Sequence, residues 1–426
     1  KSPSAIANQL DPALQMGLII PLNDDYKIPL VFEEVLSIDK KVDADGITES
    51  QFDTIKSKIA GVKYKFLHDR VQQAAYSMIP ELDQQQTHLK IGQLLLSHIP
   101  ESEIQENIFE LVNHLNIGAN LLRNRATKLQ LAELNLMAGK KAKSATAYET
   151  AANYLNVGLG LLAEDSWIND YELTLSLYVE AIEAEYLNIN YQQAKILIDL
   201  ANAQAKTVLD RVKIYTKKIR FYISQSDFAS AVDTGIEILT ILGTDLPTDS
   251  EGISQMSQNL RSQLRFDTNQ IAKLADLPLM QDPVKLAASN ILITIIPPVY
   301  FIQTELFVPV ILSMVNLAVN YGNAASSTYG YGLYGLLLCS TFGDIEAGYE
   351  FGRLSLQVLD KFPADPIKCQ VYKLFASNIQ PWKEPLREAM ANFITAIKTG
   401  LETGNAEYTN YACAEYCMYL FFSGEN

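Results

Sequence analysis

From about residue 81 onward, apolar residues recur at i, i+3, i+4 and i+7. Leu89, Leu94 and Leu95 open the pattern, and Ile108, Leu111, Val112 and Leu115 continue it. A period of this kind predicts one amphipathic helix after another. No strand is predicted beyond residue 80. The first 80 residues read differently. Ala5 to Met16 can form a helix ended by Gly17, and Leu18-Ile19-Ile20-Pro21 reads as a short strand. Asn23-Asp24-Asp25 is a turn signal. Residues 39–61 are polar and charged, and read as a loop or a variable helix. Tyr64-Lys65-Phe66-Leu67 reads as a second strand, and a helix follows from Asp69 to Met78, stopped at Pro80. Helix, strand, long wing, strand and helix are compatible with part of a winged-helix domain.

Within the helical region, one pattern recurs. A large residue opens the second helix of a pair, and small residues follow where two helices must touch. Tyr191, Ala194, Ile198 and Ala201 fit it, as do Phe228, Ala231, Gly235 and Ile238 after the turn Ser226-Asp227. Ile345, Gly348, Gly352 and Ser355 fit it after Gly343-Asp344 and before Pro363. A weaker unit is centred on Ala151, Leu155 and Gly158. Ala194 and Ala231 are 37 residues apart, slightly longer than the tetratricopeptide period of about 34. The expected fold is therefore all-α, a tetratricopeptide-like solenoid of helical hairpins preceded by a small winged-helix-like α+β segment. The expected divisions are residues 1–80, helical repeats over 81–242, a loop-rich connection over 243–284, and a second helical block over 285–426.

Composition narrows the function classes. Hydrophobic residues make up 48% of the 426 and charged residues 19%, enough apolar material for a large core. The net charge of −15, with no run of Lys and Arg, argues against nucleic-acid binding and against docking on anionic lipid. The four cysteines, Cys339, Cys369, Cys413 and Cys417, are too few and too late for a disulfide framework, so a reducing cytoplasm is expected. Between Lys285 and Asp344 the only charge is Glu305, yet Pro297-Pro298 and Pro309 are expected to break that stretch. Buried helices rather than membrane insertion are the reading there. The chain opens at Lys1 without a Met and ends abruptly at Asn426, as expected of a segment of a larger protein.

Few strings carry chemistry. Gly330-Tyr331-Gly332-Leu333-Tyr334-Gly335 matches GxGxxG but follows a helical stretch, so tight helix packing is expected instead of dinucleotide binding. Met137 to Ser144 lacks the first glycine of a P-loop, and its lysines read as a solvated helix face. Cys413 and Cys417 lie one helical turn apart without nearby histidines, and read as buried thiols rather than metal ligands. No Ser-His-acid set, nucleophile elbow or kinase signature is present. The most informative string is Tyr64 to Tyr76. His68 and Asp69 fall where a strand gives way to a helix, and Asp69 can cap that helix. An imidazole at a helix N-terminus either meets a phosphate or satisfies a backbone group at a domain junction. Tyr321, Tyr329, Tyr331 and Tyr334 either line a partner-binding groove or pack between glycine-rich helices.

The string FLHDRVQQAAYSMIP (66–80) resembles a signature of very large hybrid kinases common in cyanobacteria. IFELVNHLNIGANLL (108–122), residues 131–162, DLPLMQDP (276–283), residues 334–362 and GLETGNAEYTNYACAEYC (400–417) look like the same family. In those proteins a serine/threonine kinase precedes a STAND-type AAA ATPase. A tetratricopeptide-like region follows, then a GAF sensor and a histidine kinase. The resemblance implies that residues 1–80 are the winged-helix end of the ATPase module. Related proteins carry a Met-His-Asp motif there, whose His contacts the β-phosphate of ADP; Leu67-His68-Asp69 matches it with Leu for Met. His68 is then the nucleotide-state sensor, Asp69 its support, and Arg70 a further contributor. ADP or ATP would belong to the parent protein, since no complete nucleotide site lies in this chain. The expected partners are the upstream ATPase and flanking kinase and sensor domains of the same polypeptide, with a protein or small-ligand effector. The leading reading is a non-catalytic regulatory module. Its rivals are a passive scaffold and an enzyme with an unrecognised site.

Overall fold

The computed structural model describes residues 3–23, 26, 63–362 and 366–424. Asp24, Asp25, residues 39–61 and Pro363 lie outside them. The chain divides into two compact units. One comprises residues up to Ser97 together with Ile117–Leu121, so it extends past the expected boundary at 80. The other comprises His98–Asn116 and Leu122–Asn426. The fold is mostly α-helical.

In the first unit, helix α1 (Pro3–Gln15) ends at Gly17, whose φ of +67° suits a residue without Cβ. Strands β1 (Ile19–Pro21) and β2 (Tyr64–Phe66) pair antiparallel, with Ile19 opposite Phe66 and Pro21 opposite Tyr64. Helix α2 (Asp69–Ser77) follows, and Pro80 separates it from α3 (Glu81–His98). Gly118 approaches α3 closely. A Cβ there would lie 2.6 Å from Leu89 Cβ and 2.8 Å from the Gln85 carbonyl, so this contact needs glycine.

The second unit is a run of helical hairpins, preceded by α4 (Ile104–Ile117). Helices α5 (Arg125–Ser144) and α6 (Tyr148–Leu161) form the first, α7 (Tyr171–Leu187) and α8 (Tyr191–Gln204) the second, α9 (Val208–Ser224) and α10 (Phe228–Ile241) the third. Residues 243–284, expected to be loop-rich, hold α11 (Ser250–Gln263) and the short α12 (Thr268–Lys273). Asp249 and Asp267 cap these two helices by accepting from Gly252 N and Gln270 N. Then come α13 (Pro283–Ile302), α14 (Phe307–Tyr321), α15 (Ala325–Leu337), α16 (Ile345–Leu359), α17 (Ile367–Leu374), α18 (Ala389–Thr403) and α19 (Ala406–Ser423). Each helix packs on its partner in the hairpin. The first helices also pack in series, α5 on α7, α7 on α9, α9 on α13, α13 on α15 and α15 on α17.

Five hairpins share one turn. Thr146, Ile189, Ser226, Gly343 and Gly404 all take positive φ between paired helices. In four of them the next N–H returns to the carbonyl five residues earlier, as in Asn190 N to Glu185 O (2.8 Å) and Asp227 N to Tyr222 O (3.0 Å). This is the Schellman closure of a helix C-terminus. At Gly343 the bond runs from Asp344 N to Leu338 O, one residue longer. Leu338–Phe342 is a π-turn, which adds that residue.

The small residues of the repeated pattern sit at helix contacts. Ala151, Ala194, Ala201, Ala231, Gly235, Gly348 and Gly352 are buried. Ile345 is the exception to its pattern, being exposed at the start of α16. The glycines of the GxGxxG string lie inside α15 and serve packing, as expected: a Cβ at Gly335 would lie 2.7 Å from the Gly348 carbonyl.

Pro297 and Pro298 do not break α13, contrary to expectation. They remove two helical N–H donors, but the helix is held by burial of Ile291, Leu292, Ile295, Ile296 and Val299. Pro309 falls in the first turn of α14, where an N–H has no intrahelical partner in any case. Pro283–Ile302 and Thr304–Tyr321 are therefore long and apolar enough to cross a membrane by length and composition, although half or more of each span is buried in this fold.

Candidate functional site

His68 occupies the N-cap position of α2 in extended backbone, φ −135° and ψ 137°. Its carbonyl accepts from Val71 N (3.0 Å), which starts the helix. Its side chain makes no capping hydrogen bond and is exposed. Asp69 is the first helical residue rather than the cap, so its carboxylate adds negative charge to the first turn. Arg70 follows it and is also exposed. The strand-to-helix junction read from the sequence is thus present, with all three side chains on the surface of the first unit.

The four tyrosines separate. Tyr329, Tyr331 and Tyr334 are buried in the core. The Tyr331 hydroxyl donates to Asn323 Oδ1 (2.9 Å) and that of Tyr334 to the Leu264 carbonyl (3.1 Å), while the Tyr329 hydroxyl meets that of Tyr408 at 3.4 Å. Burial raises all three phenols above their ordinary value. These rings pack between glycine-bearing helices, so a groove lined by them is not what the fold builds. Tyr321 alone is exposed, under the Lys285 ammonium at 5.3 Å.

A site that the sequence reading missed lies on the first helices of the hairpins. Glu183 on α7 is 8% exposed and surrounded by cations. Lys217 on α9 donates to its Oε2 (2.7 Å), Lys143 on α5 donates to it and to Glu180, and Arg220 approaches its Oε1 at 3.6 Å. The Tyr186 hydroxyl adds a long contact of 3.4 Å. Burial alone would raise the Glu183 pKa, but Lys217 and Lys143 outweigh it and hold the carboxyl at about 2. The lysines fare differently because they share that carboxylate. Burial holds Lys217 below the ordinary lysine range despite Glu183. Burial also works against Lys143, but its two carboxylates raise it. The network therefore carries a surplus of positive charge in a chain of net charge −15.

Two neighbouring clusters fix the same helices. Glu185 on α7, 2% exposed, accepts from Asn156 of α6 (2.7 Å) and Asn190 (2.8 Å). Asp210 forms a capping box with Thr207 and accepts from the Tyr171 hydroxyl (2.9 Å) and Lys213 (3.3 Å). Lys143, read as part of a solvated run with Lys140 and Lys141, is thus a network member. Lys141 donates to the Gln105 carbonyl (2.6 Å), and of the three only Lys140 is exposed. The signal in the sequence was the spacing of Lys213, Lys217 and Arg220 along one face of α9.

Among the described residues, no group of three or more His, Cys, Asp or Glu is placed to hold a metal. All four cysteines are free thiols. Cys339 and Cys369 are buried, but Cys413 is half-buried and Cys417 exposed, so the expectation of a buried pair in α19 does not hold. The helix presents Cys417 outward because its core side is taken by Thr409, Ala412 and Tyr419.

No protein-family model matches the chain. An alignment of 400 positions, covering 83% of the chain, is 23% identical to hybrid signal transduction histidine kinase G of Dictyostelium discoideum. The alignment spans 12% of the relative's length. The likeness is to a small part of a multidomain signalling kinase.

Proposed function

We propose that this chain is a non-catalytic regulatory and interaction module of a multidomain signalling kinase. Its tetratricopeptide-like hairpins carry partner and ligand binding. Residues 1–80 are the winged-helix end of an upstream STAND-type ATPase module. The observation that carries this reading is the match of 83% of a helical-hairpin chain to part of a hybrid histidine kinase. Kinase activity belongs to flanking domains of the parent polypeptide, in the cytoplasm. Mechanistically, the module biases a two-state equilibrium. An ADP-held state of the upstream ATPase is favoured when His68 reaches the β-phosphate. His68 supports this role by standing exposed at a helix N-terminus, where backbone N–H groups and the helix dipole attract anions.

The test joins this segment to its upstream module and measures co-purifying ADP and kinase autophosphorylation in wild type and His68→Ala. The expected result is ADP retained by wild type, lost in the variant, and an altered autophosphorylation level. Equal ADP content with unchanged kinase output would overturn the nucleotide-gated reading and leave a passive scaffold.

A further inference from the structure

Five first helices of the second unit, α7, α9, α13, α15 and α17, converge on one cleft of about 510 Å³. That volume falls in the range of small-ligand sites, roughly 300–1,000 Å³. Its lining is unlike the rest of an acidic chain. Three cations, Lys213, Lys217 and Arg220, line it against one carboxylate, Glu180, and that carboxylate is already bound to Lys143. Val179, Val212 and Ile293 supply apolar wall.

An inventory of donors shows what is unused. A lysine ammonium has three N–H donors and a guanidinium five. Among the described residues, Lys217 spends one on Glu183 and Lys213 one on Asp210, while Arg220 makes only a 3.6 Å ionic contact. Among the described residues, most donors of these three side chains have no protein acceptor. Lys217 is only 17% exposed, so its charge is held in a poorly hydrated place where an added anion gains more than at the surface. Arg220 and Lys213 are each 52% exposed, which leaves them free to close on a ligand.

We infer that this cleft binds a small organic anion, with its carboxylate or phosphate on Lys213, Lys217 and Arg220 and a short apolar body against Val179, Val212 and Ile293. The inference concerns binding alone and does not rest on the kinase-regulatory reading. A guanidinium and two ammonium groups give charge-assisted hydrogen bonds to either anion.

The test titrates the full 426-residue chain with succinate and, separately, inorganic phosphate, at low ionic strength by calorimetry. Saturable one-site binding is expected for at least one of them. Arg220→Gln combined with Lys213→Gln should weaken it at least about tenfold, the loss expected for one charge-assisted hydrogen bond or more. Arg220→Lys should weaken it less. Lys195→Gln, on the exposed side of α8, should leave it unchanged. Both Arg220 and Lys213 are half-exposed, so these variants keep the fold, and a matching thermal unfolding curve checks it. Preference for succinate assigns the site to carboxylates, and preference for phosphate assigns it to phosphate esters. Absence of saturable binding, or equal weakening by Lys195→Gln, overturns the inference.

Discussion

Glu183 holds three helices together through a single carboxylate. Removing it leaves Lys143 and Lys217 buried without their main counter-charge, an arrangement that costs about 3–5 kcal/mol when one partner is deleted. Glu183→Gln should therefore destabilise the chain by about 3 kcal/mol at pH 7 in urea unfolding, because the shape is kept and the charge is lost. The pH dependence has a fixed sign. The folded carboxyl titrates at about 2, below its ordinary value. Its contribution is thus fully present above the unfolded value of about 4.3 and is lost as pH falls from there towards the folded one. The gap between wild type and Glu183→Gln should narrow steadily through that window. A gap that stays constant from neutral pH to about pH 3 would show that the charge on Glu183 does not stabilise the fold. The string showed only the spacing of Lys213, Lys217 and Arg220 along one helix face, not the carboxylate they meet. Lys217 and Lys143 lie 34 and 40 residues from Glu183, and only the stacking of successive hairpins brings them together. The strand-to-helix junction at His68 was legible because its signal is local, a strand ending at Phe66 and a helix starting at Asp69.

At the scale of elements, what the sequence made readable was the contact between helices, since only small residues allow it. Ala194, Ala231, Gly235 and Gly348 were identified from their spacing and are buried at helix crossings. The turns were only half readable. Ser226-Asp227 and Gly343-Asp344 announce themselves by composition, but Ile189 occupies the same left-handed position with φ +66° and gives no such signal. A β-branched residue in that region costs roughly 1–2 kcal/mol, and the Ile189 side chain is 72% exposed, so little packing offsets it. Ile189→Gly should stabilise the chain by about 1 kcal/mol, while Gly343→Ala, at φ +73°, should destabilise it by a similar amount. Thermal or urea unfolding of both variants checks the pair. Loss of stability in Ile189→Gly would mean that the side chain contributes packing absent from this turn. The residues around 250–273 were misread for a related reason. Their polar, Ser- and Gln-rich composition resembles loop, yet Asp249 and Asp267 are caps whose carboxylates start α11 and α12.

On the largest scale, the densest contacts in the second unit run between helices of one hairpin or of successive hairpins. Stability in such an array is close to a sum of local terms and nearest-neighbour interfaces, so different parts can open separately. The second unit has an uneven distribution of core. One apolar cluster extends from Tyr215 to Leu374 and includes most of α13–α16, whereas α18 and α19 depend on a much smaller cluster around Cys369, Phe393 and Tyr419. Native-state hydrogen exchange should therefore find the amides of α13–α16 most protected and those of α18 and α19 opening at a lower free energy, as a separate step. Uniform protection across both regions would mean that the unit unfolds as one cooperative block. The distinction bears on function. With the predicted order of opening, the unit has a protected part that carries most of the cation-lined cleft, and an end whose order a neighbouring domain or a bound ligand is able to shift. A coupling of one to three kcal/mol between two sites is typical of regulatory proteins. Separable opening of α18 and α19 supplies a physical element on which a coupling of that size can act.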